Sequence, residues 1–328
     1  VLILPVHAQV TPSDNLEVTG IPPIPQSLVD RTNQYLNVRS AGFTGWLPGG
    51  DGMYISTRFG NTNQIHHVKG PGMARRQLTF FDEPVYGASP DPRDGKNGFC
   101  FMRDVGGGEF YQIFYFDRNH GTSWMLTDGK SRNSGPNWSN KSDIFCFSSN
   151  RRNGRDTDVW IMDPDQADGA WVLTELDGSW YGTAWSPDDR LLVVLQYVSA
   201  NESHPFIADL ESRTIESMFP ETGRQISYGN FEWHRGGGTI FYTSDEDDEF
   251  LQLHAFDIIN RKITNLTPDL KWDIENLELS DNGEYIAYTV NENGISTLHL
   301  FRLPDMEPVC LLYTSPSPRD RTRSRMPS

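Results

Sequence analysis

The chain repeats itself, and the repeat limits what it can fold into. The stretch from Trp138 to Thr174 shows the whole unit. Trp138-Ser139-Asn140 opens it, the apolar Ile144-Phe145-Cys146-Phe147 and the run Asp158-Val159-Trp160-Ile161-Met162-Asp163 flank a polar loop from Ser148 to Thr157, and Val172-Leu173-Thr174 ends it. Short runs rich in β-branched and aromatic residues, separated by Asn, Gly and Asp, read as antiparallel strands joined by turns. Sister openings are Trp46-Leu47-Pro48-Gly49-Gly50-Asp51-Gly52, Ala88-Ser89-Pro90-Asp91, Trp185-Ser186-Pro187-Asp188-Asp189, Trp233-His234 and Leu279-Ser280-Asp281-Asn282-Gly283. Pro presets φ, Asp bonds its own backbone and Gly accepts positive φ, so each opening is a turn for a mechanical reason.

The third strands align through Gln64 to Val68, Gln112 to Phe116, Asp158 to Met162, Gln252 to Phe256 and Thr297 to Phe301. The fourth repeat is weakest there, offering only Pro205-Phe206-Ile207-Ala208. A closing Leu-Thr recurs at Leu78-Thr79, Leu126-Thr127, Leu173-Thr174 and Leu266-Thr267. Six units spaced by roughly 42 to 50 residues, about four strands each, match the blades of a propeller. The expectation is all-β: one β-propeller of about six four-stranded blades over residues 35–309, with a seventh blade of a longer protein left open. Tyr35 to Ala41 is a candidate outer strand for the last blade. A repeat array is one architecture however long, so the 328 residues count as a single domain.

Both ends depart from the repeat. Residues 1–8 begin with the apolar Val1-Leu2-Ile3-Leu4-Pro5-Val6, and Val6-His7-Ala8 has the small-residue pattern of a signal-peptide cleavage site. They read as a signal-peptide remnant, which implies an exported, periplasmic or secreted bacterial protein, or as a short apolar segment of the fold. Residues 9–34 form a lead-in that is polar and Pro-rich as far as Gln26, with a short helix expected over Ser27 to Asn37. Residues 310–328 lack strand periodicity. Cys310-Leu311-Leu312-Tyr313-Thr314-Ser315-Pro316-Ser317-Pro318-Arg319-Asp320 resembles a translated sequencing-library adapter; the other reading is a basic disordered tail with an acidic partner.

A formal charge of −16 excludes a phosphate-binding surface of the usual kind, so no nucleic acid partner is expected. No run of eighteen apolar residues occurs, so no membrane span is expected. Three cysteines are too few for a disulfide scaffold. Cys100 and Cys146 occupy sister positions flanked by Phe and read as buried thiols, with a bridge between neighbouring blades as the alternative.

Longer strings carry a family resemblance. Tyr35-Leu36-Asn37-Val38-Arg39-Ser40-Ala41, Ile55-Ser56-Thr57-Arg58-Phe59-Gly60-Asn61-Thr62, Arg76 to Val85 and Leu126 to Asn133 resemble the N-terminal propeller of exported bacterial S9 peptidases, the prolyl oligopeptidase family. Arg103 to Glu109, Trp185 to Asp189 and Tyr197 to Glu202 extend the match over roughly residues 18–309. The Ser-Pro-Asp element is shared with TolB-like periplasmic propellers. The resemblance implies a propeller that restricts peptide substrates entering a downstream α/β-hydrolase domain carrying Ser, Asp and His. The competing reading is a stand-alone TolB-like propeller that binds or scaffolds proteins.

This chain carries no peptidase signature of its own. No Gly-x-Ser-x-Gly string occurs, so the strained turn that exposes a serine nucleophile is not encoded. Gly129-Lys130-Ser131 ends like a phosphate loop, but Trp124 stands where the earlier Gly is required. His66 and His67 are adjacent on a strand and point to opposite faces, which excludes ordinary chelation. His66, His254 and His299 share a repeat position held elsewhere by Phe114 and Trp160, which indicates packing between blades. The acidic run Asp245-Glu246-Asp247-Asp248-Glu249 lacks the spacing and Gly of a calcium loop. No catalytic residue, cofactor or metal is expected. The loops between second and third strands share one rim and carry Arg58, Arg103, Asp104, Glu109, Arg151, Arg152, Asp156 and Glu202. Under the family resemblance this rim meets substrate or hydrolase; turn-stabilising ion pairs explain the same residues without a ligand.

Overall fold

The structure, a computed structural model, describes residues 17–310 apart from residues 105 and 142. The expectations for residues 1–8 and for the tail beyond Cys310 lie outside the described residues. Six antiparallel sheets follow one another, each of four strands in chain order, and together they form a β-propeller.

Blade 1 comprises Gly42–Trp46, Met53–Thr57, Gln64–Val68 and Arg75–Gln77 (β1–β4), and blade 2 comprises Val85–Pro90, Gly98–Arg103, Gln112–Asp117 and Thr122–Met125 (β5–β8). Blade 3 is Asn137–Trp138, Phe145–Ser149, Asp158–Met162 and Trp171–Val172 (β9–β12). Blade 4 is Ser179–Trp185, Leu191–Ser199, Glu202–Asp209 and Thr214–Ser217 (β13–β16). Tyr228–Trp233, Thr239–Ser244, Gln252–Asp257 and Lys262–Asn265 (β17–β20) make blade 5. Ile274–Leu279, Tyr285–Glu292, Ile295–Arg302 and Glu307–Pro308 (β21–β24) make blade 6.

Second and third strands alternate two apolar faces, and that alternation builds the core. Ile65, Ile113, Val159 and Leu253, at one shared third-strand position, are all fully buried. Their faces pack on the next blade: Ile113 lies with Phe145 and Phe147, and Leu253 with Ile274 and Ile286. The recurrent Leu-Thr explains itself here. The hydroxyls of Thr79, Thr127, Thr174 and Thr267 accept the backbone N–H of Ile65, Ile113, Val159 and Leu253 at 2.8–3.0 Å. Each hydroxyl, just past the end of the fourth strand, thereby satisfies a buried donor of the third.

Cys100 and Cys146 are buried free thiols, as one of the two sequence readings held. Burial pushes the Cys146 thiol up to about 12. Its Sγ fills the space beside Gly182, where a Cβ would lie only 2.5 Å away.

The expected outer strand at Tyr35 to Ala41 is not formed. Tyr35 and Leu36 end the helix α1 (Gln26–Leu36), and blade 6 takes its fourth strand from its own following residues, with Phe301 opposite Pro308 and Arg302 opposite Glu307. A local hairpin closes a far shorter loop than a strand returning from the N-terminus, and costs less chain entropy. α1 itself matches the short helix expected there.

Candidate functional site

Because strands within a blade alternate direction, loops joining second to third strands share one rim with the connections between blades. Most of the rim residues singled out in the sequence are engaged with that framework. Arg58 donates to the carbonyls of Asn61, Leu36 and Val38 at 3.2–3.4 Å, tying the end of α1 to blade 1. Arg103 lies 3.5 Å from Glu83 and stacks over Phe81 and Phe114. Asp104 accepts the backbone N–H of Glu109 at 2.8 Å, and Glu109 adopts a positive φ of 58° to close that turn. Arg151 is held over Phe147 and Trp160, and burial lowers its pKa.

Arg152 forms the tightest of these pairs. Its Nε donates to Asp158 at 2.7 Å, its Nη2 to the same carboxylate at 3.2 Å and to the Leu176 carbonyl at 2.8 Å. The Asp158 side chain is fully buried, so the pair locks the loop of blade 3 onto the connection to blade 4. Asp156 accepts from Arg155, Asn153 and the Gly178 amide, and these donors hold its carboxyl far below the usual range, the Arg155 hydrogen bond foremost.

Glu202 stands apart. It was placed in a loop by sequence, but it begins β15, because the blade 4 hairpin continues pairing to Ser199 opposite Glu202. It lines a recess of about 530 Å³ between blades 4 and 5, with Phe206, Phe219, Pro205, Arg224 and Tyr228 among its walls. The carboxylate contacts the His204 ring at 3.2 Å and accepts from Gln225 at 3.2 Å. Arg224 donates to the Glu246 carbonyl at 2.7 Å. Burial, reinforced by Glu246, raises the Tyr228 pKa. A carboxylate beside apolar walls suits a ligand with a donor or cationic group on an apolar body. Sequence reading missed Arg224, Gln225 and Tyr228; the polar run Glu221-Thr222-Gly223-Arg224-Gln225 after blade 4 was the available signal.

A second cavity of about 170 Å³ touches the first strands of blades 3 to 6 at Asn137, Thr183, Glu232 and Leu279, and Arg235 in the turn that follows the first strand of blade 5. Burial, then repulsion from Glu278, pushes the Glu232 carboxyl up to about 7, with Arg235 opposing. Arg235 reaches from blade 5 to blade 3, donating to Asn140 at 2.6 Å.

At the shared histidine position the rings stack on partners in their own blade, while Phe114 and Trp160 at the same position belong to apolar clusters that join neighbouring blades. His254 stacks on Tyr242 and His299 on Tyr288, each its cross-strand partner, at interplanar angles of 19°. His66 meets Phe59 edge-on. His67 turns the other way and contacts the Asp51 carbonyl. Gly129-Lys130-Ser131 forms a turn on the Asp128 carboxylate, which accepts both the Lys130 and Ser131 amides. The acidic run is paired through Tyr242 to Glu246, His254 to Asp247 and Lys271 to Asp248. Among the described residues no three His, Cys, Asp or Glu converge as a metal site. No helix there is long and apolar enough to cross a membrane.

The described residues form a six-bladed propeller with a recess between blades 4 and 5. No protein-family model matches the chain. An uncharacterized protein of Agrobacterium fabrum is 25% identical over 165 residues, 48% of this chain and 53% of that protein. Among solved structures, the chain is similar to a prolyl endopeptidase with a TM-score of 0.69 and 11% identity, over 87% of this chain and 44% of that one. It is also similar to TolB from Acinetobacter baumannii, with a TM-score of 0.53 and 16% identity over 84% of this chain and 65% of that one. A putative TolB from Agrobacterium tumefaciens gives a TM-score of 0.52 at 13% identity, over 70% of this chain and 81% of that one. The chain thus spans about half the length of the curated relative and less than half of the peptidase. At these identities the likeness shows the fold.

Proposed function

We propose that this chain is the propeller module of an exported serine peptidase of the prolyl oligopeptidase type, gating peptide access to an α/β-hydrolase domain. The likeness to a prolyl endopeptidase, which takes in 87% of this chain but 44% of that one, carries the reading. In it, the rim with Glu202 and Arg224 faces peptide or hydrolase, and the propeller contributes exclusion rather than chemistry. Acyl transfer needs a nucleophile, a base to deprotonate it and oxyanion donors within hydrogen-bond reach. Ser203, beside the recess, is instead tied to the backbone of Tyr228 through both its hydroxyl bonds.

The 328-residue chain is expected to leave aminoacyl and dipeptidyl reporter substrates uncleaved. If the coding region continues into a hydrolase domain, its product is expected to cleave short peptides and to lose activity to a serine-directed phosphonate. Hydrolysis by the purified 328-residue chain overturns the non-catalytic role, and a longer product without a serine-reactive site removes the peptidase assignment. The second reading, a periplasmic binding propeller, is favoured by the two TolB likenesses. It predicts that a stop codon follows the last blade.

A further inference from the structure

Blade 4 is fastened to its neighbour differently from the others, and the difference opens the recess. In blades 1, 2, 3 and 5 a polar side chain of the third strand ties down the connection to the next blade. Gln64 donates to the carbonyls of Phe81 and Glu83, Gln112 to that of Ser131 and Gln252 to those of Pro268 and Leu270, at 2.7–3.2 Å. Asp158 accepts the Leu176 N–H at 3.3 Å. His204 holds the same position in blade 4, opposite Gln196 as Gln252 is opposite Ser244, yet its ring turns to Glu202 and makes no hydrogen bond to the connection. The closing threonine is missing as well. Met218 donates to the Pro205 carbonyl as Leu126 does to Ile113 and Leu266 to Leu253, which sets Phe219 where Thr127 and Thr267 stand. Pro205 has no N–H for a hydroxyl to receive, so the exchange of Thr for Phe leaves no donor unmet. Between Phe219 and the Ile226 carbonyl, which accepts the Ser203 N–H at 2.9 Å, the backbone therefore stands off the third strand.

The space so opened is the recess of about 530 Å³. Two separate cores set its apolar walls: Phe206 packs on Trp180 of blade 4 with ring centroids 5.0 Å apart, and Phe219 on Tyr228 of blade 5 at 5.2 Å. A carboxylate and a guanidinium line the same space without pairing. Glu202, its side chain 23% exposed, takes the Gln225 amide and the His204 ring, both at 3.2 Å. Arg224 donates from Nη2 to the Glu246 carbonyl at 2.7 Å and makes no other side-chain hydrogen bond and no ion pair among the described residues. Glu202 thus keeps acceptor capacity, and Arg224 keeps most of its donors. Glu221, the other charged group of the lining, lies exposed on the connection.

We propose that this recess binds a small zwitterion whose ammonium and carboxylate are carried on an apolar body, the chemistry shared by a free α-amino acid and a dipeptide with apolar side chains. The ammonium donates to Glu202, the carboxylate accepts from the unused N–H groups of Arg224, and the apolar body lies against Phe206 and Phe219. A few placed polar groups over apolar, aromatic walls are what fix the orientation of a small ligand, and the low local dielectric of such walls strengthens both polar contacts. The requirement for both charges excludes a long polypeptide, whose two termini lie too far apart to meet Glu202 and Arg224 together. Nothing in this depends on the peptidase reading, because the recess is built by the blade 4 third strand and the connection that follows the fourth.

The test is calorimetric titration of the 328-residue chain with L-phenylalanine and with L-leucyl-L-phenylalanine, each also in its N-acetyl and its carboxamide form. The doubly charged form is expected to bind at least about tenfold more tightly than either blocked form, and the tighter of the two parent compounds identifies the source. Glu202→Gln is expected to abolish discrimination against the N-acetyl form and to keep that against the amide; Arg224→Gln is expected to do the reverse. Equal affinity for free and blocked forms overturns the proposal, as does the absence of saturable heat up to the solubility of both parent compounds. Variants that leave both preferences intact also overturn it, since binding then lies elsewhere on the molecule. The comparison of free with blocked ligands uses the unsubstituted chain and decides the matter even where a variant fails to fold. No hydrolysis is involved, so failure here leaves the peptidase reading to its own assay.

Discussion

Two side chains of the same type on one rim do different work, and the difference is burial of the partner. Arg58 directs its guanidinium to exposed carbonyls, so Arg58→Ala is expected to lower the unfolding free energy from urea titration by under about 1 kcal/mol. Arg152 neutralises a carboxylate that water does not reach. Arg152→Ala strands Asp158, and the expected cost is about 2 kcal/mol, below the range for a fully enclosed pair because the arginine itself is partly exposed. Glu232 sets the pH response. A carboxyl raised from 4.5 to about 7 in the fold carries no penalty below about pH 4.5, and the fold loses stability as pH climbs through about 7. Glu232→Gln is therefore expected to raise the thermal midpoint at pH 8, by the equivalent of about 1–3 kcal/mol, and to change it little at pH 4. Paired melts of the two proteins at pH 4, 6 and 8 check the sign.

Elements were read from sequence where period and turn chemistry agreed. The third strands beginning at Gln64, Gln112, Asp158 and Gln252 start at the residues their apolar alternation indicated, and the closing threonines fall in register because each caps the same buried amide. Thr174→Val keeps the volume and removes the acceptor, and a loss of about 1–2 kcal/mol is expected by denaturant titration, with Thr174→Ser restoring most of it. Blade 4 misled the reading. Pro205 interrupts its third-strand pattern, yet it contains the longest strand, Leu191–Ser199, because pairing runs on to a tight turn at Ala200-Asn201 that lacks Gly and Pro. First strands hid their irregularity altogether. Register slips at Tyr86/Ser89 and Gly229/Glu232 coincide with positive φ at Gly87 and Asn230, a backbone choice that side-chain patterning does not reveal. The rim was legible as a set of charges but not as a set of pairs, since Glu83 and the Leu176 carbonyl come from connections between blades and their approach is a property of the assembled ring.

At the scale of the molecule, each blade packs on its chain neighbours, so stability is a sum of blade terms and junction terms. Unfolding is expected to depart from two-state behaviour, with tryptophan fluorescence and far-ultraviolet dichroism giving separate urea midpoints; coincident midpoints and a full-size m-value count against independent blades. One arrangement described above decides how such a molecule comes into being. Every sheet is completed by residues that directly follow its own third strand, and none borrows an edge from the opposite end of the chain. A ribosome, or a secretion pore threading the chain from its N-terminus, therefore delivers finished parts: once Arg75–Gln77 has emerged, the first sheet needs nothing from the remaining chain to satisfy its backbone, and each later sheet lands on one already made. Assembly can keep pace with delivery, and the exposed front of the growing stack is always a single face.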